Sequence, residues 1–316
     1  MPIDFVPLLE AATRAPSSHN TQPWLFRARG DAIELFADRT RALPVNDPYD
    51  RELTISCGAA LAHLEVAAAA AGHGVRTQLV RGGDEPDHLA TLTLGGAPDA
   101  ERAALAPWIG RRRSTREAFE ARALPVGLVE ELAGCVERRE CWLEPIEGDA
   151  RRERLAALVA EGDRAQFADP RWRRELASWM HPRRKGDGLV QPELVAPISR
   201  AVVRAFDLGA STGAKDRERA LEAPLVAVLG SRRDEVEAWL RTGLALGELA
   251  LRAAAHDVVI GYLNQPCQVA GLRTRLRSEL DLPGLPQLVL RLGHAPAAQR
   301  PSPRRPLDEV LLDANE

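Results

Sequence analysis

Two long apolar segments dominate the pattern of hydrophobic and polar positions along the chain. They predict helices over residues 52–71 and 235–255, and the first is closed by Gly72 and Gly74. β-like runs follow each helix, over residues 75–80 and 89–95 in the first case and over 258–260 and 288–293 in the second. The order helix, strand, strand therefore occurs twice.

The two helices can be superimposed at an offset of 185 residues, which aligns Gly58 with Gly243 and Leu64 with Leu249. In both stretches the last strand ends in Leu-Gly-x-Ala-Pro, at residues 94–98 and 292–296. Short amphipathic helices are also predicted earlier in each stretch, over residues 5–12 and 126–133. We interpret this as an internal duplication, with copy one over residues 1–100 and copy two over residues 101–316. The predicted class is α+β, with a sheet flanked by helices in each copy.

Copy two contains an insertion, over about residues 151–222, that has no counterpart in copy one. It is predicted to be mostly helical, with Trp172 and Trp179 among many arginines and a break at Gly186-Asp187-Gly188. Such an insertion fits either a lid over a site or a packed decoration, and the sequence leaves both open.

Composition excludes several classes of protein. With 316 residues and 45% hydrophobic content the chain can bury a substantial core, and no apolar run is long and uncharged enough to cross a bilayer. No secretory signal is visible, so we expect a cytoplasmic protein. The four cysteines lack CxxC spacing, which favours reduced thiols over a metal site or disulfides. A net charge of −3 gives no reason to expect a nucleic-acid or membrane partner.

A dense polar loop lies between the first predicted helix and a hairpin that turns at Gly30-Asp31. Pro16 and Pro23 bracket Ser17, Ser18, His19, Asn20, Thr21 and Gln22. The prolines stop regular structure, and the side chains between them bring many hydrogen-bonding groups together. This pattern favours a ligand-binding loop, although a capping or turn segment has similar composition.

A second polar cluster precedes the first helix of copy two. Arg112, Ser114 and Arg116 bring guanidinium groups and a hydroxyl close together. Forked donors of this kind suit a phosphate, whereas an ordinary arginine run is a solvated surface.

Residues 16–24, Pro-Ser-Ser-His-Asn-Thr-Gln-Pro-Trp, resemble the flavin loop of the FMN-dependent nitroreductase superfamily. The segment Arg112-Arg113-Ser114-Thr115-Arg116 is similar to the phosphate-binding motif of that superfamily. Residues 303–310 resemble its closing motif, whose basic residue reaches the phosphate, and here that residue is Arg304 or Arg305. Gly261 falls where the family has a glycine against the flavin, and Ile260 replaces the acidic residue that usually precedes it.

The resemblance implies a nitroreductase-like fold in which the two copies form an intramolecular pseudo-dimer with one complete FMN site. It implies phosphate contacts from Arg112, Ser114, Arg116 and Arg304 or Arg305, and ring-side contacts from Pro16, Ser17, Ser18, Asn20, Gln22 and Gly261. A single chain with an insertion of this kind looks like the Acg-like branch. The expected activity is electron transfer from NADH or NADPH through FMN to a small organic acceptor, such as a nitroaromatic or quinone.

Two other functions fit the same resemblance. If the insertion seals the pocket, the chain would store or sequester FMN with little reductase activity. The wider superfamily also contains desaturating oxidases. No side chain in the sequence is an obvious catalytic acid or base, and the sequence fits either a monomeric pseudo-dimer or a homodimer.

Overall fold

The computed structural model describes residues 3–79 and 85–313. The first stretch contains one short helix, a hairpin, a long helix and two further strands. In chain order these are α1 (Val6–Ala12), β1 (Trp24–Arg29), β2 (Ala32–Ala37), α2 (Arg51–Ala70), β3 (Val75–Leu79) and β4 (His88–Leu94). Val80, which the sequence places in the third strand, lies outside the described residues.

The second stretch has the same order of elements with an additional helical block. Its elements are α3 (Ala100–Ala103), α4 (Ala106–Ile109), α5 (Leu128–Glu137), β5 (Cys141–Pro145), α6 (Asp149–Ala168), α7 (Pro170–Ser178), β6 (Met180–Pro182), β7 (Leu189–Gln191), α8 (Ala196–Ala205), α9 (Gly209–Glu222), β8 (Leu225–Ser231), α10 (Val236–Ala255), β9 (Val259–Tyr262), α11 (Gln265–Gln268), α12 (Ala270–Glu279) and β10 (Leu285–Gly293).

The two stretches build two antiparallel four-stranded sheets with the same topology. The strand order is β1-β2-β4-β3 in one and β5-β8-β10-β9 in the other. In each sheet the strand that comes last in the chain lies between its two predecessors: β4 lies between β2 and β3, and β10 lies between β8 and β9. A long helix connects β2 to β3 in one sheet and β8 to β9 in the other. The block α6–α9 is inserted between β5 and β8, where the first stretch has only the two-residue turn between β1 and β2. The mostly helical insertion predicted from the sequence is therefore confirmed.

The long helices α2 and α10 pack against each other at a crossing made of small residues. A Cβ atom placed on Gly243 would lie 2.7 Å from the Cα of Gly58, and one placed on Gly58 would lie 2.9 Å from the Cα of Gly243. Those two glycines are aligned by the 185-residue offset. Ile55 packs in the core of the second sheet, and its counterpart Leu240 packs in the core of the first. Reciprocal contacts of this kind are what a two-fold interface requires.

The C-terminal segment returns from the second sheet to the first. The backbone N–H of Phe26 in β1 donates to the carbonyl of Val310 at 2.8 Å, and the N–H of Leu312 donates to the carbonyl of Phe26 at 2.8 Å. Residues late in the chain thus extend the edge of the first sheet, and they bring Arg304 and Arg305 towards the polar loop.

Several predictions about single residues can now be compared with the structure. All four cysteines are free and buried, as expected. Among the described residues no group of metal-ligating side chains is found. Within residues 3–79 and 85–313, one helix, Arg51–Ala70, is long and apolar enough to span a membrane, contrary to the expectation from the sequence, and it is largely buried inside the protein. The side chain of His63 in α2 is fully buried against α1, where its Nδ1 lies 3.4 Å from the carbonyl oxygen of Ala11.

Candidate functional site

The polar loop after α1 adopts a backbone that L-residues rarely take. His19, Asn20 and Gln22 have φ values of 49°, 55° and 54°, in the left-handed region. Each such residue costs roughly 1–3 kcal/mol and persists only where its surroundings over-determine the conformation. Strained backbone of this kind clusters at ligand-binding sites, which agrees with the prediction of a binding loop.

The start of α2 fixes one side of this loop. The Ser18 hydroxyl donates to Oε2 of Glu52 at 2.6 Å, and the Ser18 N–H donates to the Ser56 hydroxyl at 3.3 Å. Glu52 is 1% exposed and also accepts two hydrogen bonds from the Gln268 amide. Because its hydrogen is committed to Glu52, Ser18 can offer only oxygen lone pairs to a ligand.

Two arginines from distant parts of the chain meet at the residue that precedes the loop. Nη2 of Arg112 and Nη2 of Arg304 both donate to the carbonyl of Arg14, at 3.1 Å and 3.0 Å. Nη1 of Arg112 also donates to the Ser114 hydroxyl at 3.2 Å. Burial, followed by the charges of Arg112, Arg14 and Arg113, lowers the pKa of Arg304 to about 9. The predicted phosphate motif and the predicted flavin loop therefore converge in space.

This group of arginines lacks acidic partners. Within residues 3–79 and 85–313, no ion pair joins a carboxylate to Arg14, Arg112, Arg113, Arg116 or Arg304. The Nε atoms of Arg112 and Arg304 are buried and have no hydrogen-bond partner. Keeping such charges close together without compensation is costly. Their donors match an oxyanion, and a phosphate would supply both the missing charge and the missing acceptors.

Arg116 lies on the same side of the site and acts on the loop through its charge. The residue keeps solvent-exposed surface, while desolvation of its guanidinium by the surrounding protein lowers its pKa. The pKa of His19 is lowered to about 3, by burial first and by the Arg116 charge second. His19 is therefore neutral at pH 7, and its buried Nδ1 has no hydrogen-bond partner.

The structure distinguishes between Arg304 and Arg305. Nη1 of Arg305 donates to Oδ2 of Asp38 at 3.2 Å and to the carbonyl of Gln22 at 3.1 Å, so its charge is neutralised inside the protein. Arg304 has no such partner and joins the arginine group. The phosphate contact predicted for Arg304 or Arg305 stays a prediction, and the pairing of Arg305 with Asp38 favours Arg304.

The side chain of Gln22, which the resemblance places beside the flavin ring, makes hydrogen bonds within the protein. Its side chain is fully buried, its Oε1 accepts from the N–H of Arg305 at 2.9 Å, and its Nε2 donates to the carbonyl of Gly186 at 2.9 Å. Gln22 thus connects the loop, the C-terminal segment and the insertion. Asn20 makes a similar link, because its amide donates to the carbonyl of Pro303 and accepts from Arg304.

The segment that carries Arg112 and Arg116 is held against the second sheet. The N–H of Thr115 donates to the carbonyl of Ile260 in β9 at 2.9 Å. Arg291, in the middle of β10, donates to the carbonyls of Glu117 at 2.8 Å and Thr115 at 3.2 Å. The sequence analysis overlooked Arg291, although a single charged residue inside the apolar strand Leu288–Leu292 was a usable signal.

The structure also gives a different reason for the glycine at position 261. A Cβ atom there would lie 2.5 Å from Nε of the buried Arg291 side chain. Glycine is therefore needed to admit Arg291, whereas the sequence analysis explained it by a close approach of the flavin. The contact of Gly261 with a flavin stays a prediction.

The insertion reaches the loop through the turn between β6 and β7. The N–H of Gly188 donates to the carbonyl of Asn20 at 3.2 Å, and Arg41 bonds both the carbonyl of Thr21 and the carboxylate of Asp187. At Gly186 a Cβ atom would lie 2.9 Å from the carbonyl oxygen of Arg304. This turn is packed onto the loop and the C-terminal segment together, so the insertion forms one wall of the site.

Comparison with known proteins decides the family. No family model matches the chain. Rv3131 of Mycobacterium tuberculosis, which is named as an NAD(P)H nitroreductase, is 32% identical to this chain over 313 residues. The match covers 96% of this chain and 90% of Rv3131. The chain belongs to the nitroreductase family. Acg, a second M. tuberculosis protein named in the same way, is 30% identical over 312 residues, with 96% and 93% of the two chains covered.

Solved nitroreductase structures resemble part of the chain. The FMN-dependent nitroreductase NfnB of Mycobacterium smegmatis, in complex with NADPH, matches with a TM-score of 0.43 and 22% identity over 67% of this chain and 97% of that one. A nitroreductase with bound FMN from Bacteroides fragilis matches with a TM-score of 0.38 and 12% identity, over 62% and 91% of the chains. The family assignment rests on the mycobacterial relatives.

A cavity lies at the place that the 185-residue offset relates to the loop site. It has a volume of about 580 Å³ and lies at the start of α10, beside the segment after α5. Its lining includes Glu237 and Arg241, which are aligned with Glu52 and Ser56. Arg241 forms ion pairs with Glu140 and Glu237, so the serine-rich lining of one site is replaced by paired charges in the other.

Proposed function

We propose that this protein is an FMN-dependent oxidoreductase with a single composite site, which takes electrons from NADH or NADPH and delivers them to a small organic acceptor. The observation that carries the proposal is the meeting of Arg112, which is buried, and Arg304, which is half-buried, at Arg14 before the strained loop. Among the described residues, neither guanidinium is paired with a carboxylate. The names of the mycobacterial relatives support the use of NAD(P)H.

The residues present fit the proposed cofactor. Arg112, Ser114, Arg116 and Arg304 would hold its phosphate, and the unpartnered Nε atoms of Arg112 and Arg304 are donors that an anion would satisfy. Pro16, Ser17 and Ser18 would face its ring from the other side. FMN, when bound, would supply two-electron redox chemistry between the nicotinamide donor and the acceptor.

In this scheme the protein's own groups would mainly orient the reactants and exclude water from the site. Ser18, oriented by Glu52, presents a hydrogen-bond acceptor of fixed direction. His19 is neutral near pH 7 and cannot donate a proton as an imidazolium, because burial and Arg116 lower its pKa to about 3. The acceptor would be a compound that is reduced without a dedicated protein acid, such as a nitroaromatic or a quinone.

The first test is the ratio of FMN to chain in the purified full-length protein, followed by anaerobic titration with NADH and with NADPH. We expect one FMN per chain and loss of the visible flavin absorbance with at least one nucleotide. Absence of FMN binding after reconstitution would contradict the proposal as a whole. Bound FMN that neither nucleotide reduces would contradict the oxidoreductase function alone.

FMN storage is a second candidate, favoured by the packing of the insertion onto the loop. The turn at Gly186 and Gly188 forms one wall of the site, and the Arg41–Asp187 pair holds this turn in place. Storage predicts slow reduction by NADPH in the wild type and faster reduction in Asp187→Ala, which releases the turn from Arg41. Equal and rapid reduction of both proteins would exclude storage.

A further inference from the structure

The exposed apolar side chains of this protein are concentrated in one part of the insertion. Among the described residues, eleven large hydrophobic side chains are exposed, and six of them lie between positions 190 and 206. These six, here called the apolar stripe, are Val190, Leu194, Val195, Ile198, Val202 and Phe206. Contiguous exposed apolar surface on a folded protein usually marks an interaction site.

Helix α8 presents this stripe outward. Leu194, Ile198 and Phe206 are 89%, 65% and 61% exposed, whereas Ala196 and Val203 are buried on the opposite face of the helix. Ile198 and Val202 are four residues apart in α8 and lie on one side of the helix. Leu194 and Phe206 are exposed just outside its two ends, before Val195 and after Ala205. The buried face is occupied by packing against α7 and β6, and the apolar face has no partner among the described residues.

The charge around the stripe differs from that of the whole chain. Residues 170–206 contain eight arginines and lysines and three acidic residues, a net charge of +5 in a protein whose total is −3. Arg174, Lys185 and Arg204 are exposed. Two of the acidic residues have internal partners, since Glu175 accepts from the backbone N–H groups of residues 45 and 46, and Asp187 pairs with Arg41.

We propose that the apolar stripe and the basic segment that carries it dock on the surface of an anionic lipid bilayer. Exposed leucine, isoleucine and phenylalanine side chains beside arginine and lysine are the composition of an interfacial helix, in which apolar groups enter the acyl boundary and cations meet lipid headgroups. A second copy of the chain fits less well, because pairing two stripes would bring two segments of charge +5 together. The low overall charge, which predicts no membrane partner, conceals this local excess.

Co-sedimentation of the full-length protein with vesicles tests the proposal. Vesicles of equimolar phosphatidylglycerol and phosphatidylcholine should bind the wild type, and pure phosphatidylcholine vesicles should bind it about tenfold more weakly. Leu194→Ser combined with Ile198→Ser should lower binding to the anionic vesicles about tenfold. Arg174→Gln combined with Arg204→Gln should have a similar effect, as should high salt.

Val126→Ser is the matched control, because Val126 is an exposed hydrophobic residue outside the stripe, and it should bind like the wild type. Thermal melting checks that each variant is folded. No binding to anionic vesicles, equal binding to both vesicle types, or full binding by the serine variant would overturn the proposal. So would self-association of the wild type that the serine variant abolishes, since the stripe would then bind a second copy.

Discussion

Arg304 and Arg305 are adjacent in the chain, yet their surroundings give them different tasks. Arg305 is paired with Asp38, and both side chains are buried. Arg304 faces Arg14, Arg112 and Arg113, and these charges together with burial lower its pKa to about 9. Removing one charge of an ion pair leaves the charge of its partner uncompensated, whereas removing one of several neighbouring like charges relieves repulsion.

Alanine substitutions should therefore separate the two residues. Arg305→Ala should destabilise the fold by about 3 kcal/mol, because it leaves Asp38 buried without its partner. Arg304→Ala should change stability little and weaken FMN binding roughly tenfold to a hundredfold, the equivalent of one charge-assisted hydrogen bond. Urea unfolding and FMN fluorescence titration measure the two effects. The opposite assignment, with Arg305→Ala alone affecting FMN, would show that the phosphate residue has been misidentified.

His63 makes the stability of the protein depend on pH. Its pKa is lowered from 6.5 to about 3, by burial first and then by the charge of Arg112, with a smaller effect of Arg304. Between these two values the unfolded state binds the extra proton, so the free energy of unfolding should fall as the pH falls below 6.5. One group titrating in this way contributes about 1.4 kcal/mol per pH unit.

His63→Asn provides the comparison, since it cannot be protonated in this range. Urea unfolding at pH 7 and pH 5 should show a larger loss of stability for the wild type than for the variant. The two proteins losing stability in parallel would mean that other groups account for the whole pH dependence.

At the scale of elements, the crossing of α2 and α10 allows almost no added volume. Gly243→Ala should destabilise the protein by several kcal/mol, because its Cβ would lie 2.7 Å from the Cα of Gly58 in the opposing helix. Gly134 in α5 is the control, since a Cβ there meets nothing within 4 Å. Gly134→Ala should stabilise by about 0.5–1 kcal/mol. Thermal unfolding of both variants checks this, and equal melting temperatures would contradict the tight crossing.

The elements could be predicted from the sequence because their apolar periodicity is local. The helix expected over residues 235–255 is observed as Val236–Ala255, and the inserted block was found from the absence of a counterpart. The contacts that define the site could not be predicted in the same way. The guanidinium of Arg304 donates to the carbonyl of Arg14, which lies 290 residues earlier in the chain. No local pattern shows that the side-chain oxygen of Gln22 accepts a hydrogen bond from the backbone N–H of Arg305.

At the scale of the whole molecule, the loop site and the cavity at the start of α10, which the 185-residue offset relates, have different linings. The cavity at the start of α10 has Arg241 where the loop site has Ser56. The charge of Arg241 is neutralised by ion pairs with Glu140 and Glu237. The two sites are thus related by the predicted duplication but are not chemically equivalent.

The double variant Arg112→Ala and Arg304→Ala tests this asymmetry. If only the loop site binds FMN, the variant should retain less than about a tenth of the wild-type FMN at equal free concentration, since two charge-assisted contacts are lost. Equilibrium dialysis measures the bound fraction, and circular dichroism confirms the fold. A remaining full equivalent of FMN would place a second functional site in the cavity at α10.

The return of the C-terminal segment to the first sheet sets an order on biosynthesis. Asn20 and its partner Arg304 are separated by 284 residues. At roughly 5–20 residues per second, ribosomal synthesis reaches Arg304 on the order of 15–60 s after Asn20. During that interval the strained loop lacks the contacts that hold Gln22 and Asn20 in place. The site is therefore completed only after every residue between Asn20 and Arg304 has been synthesised.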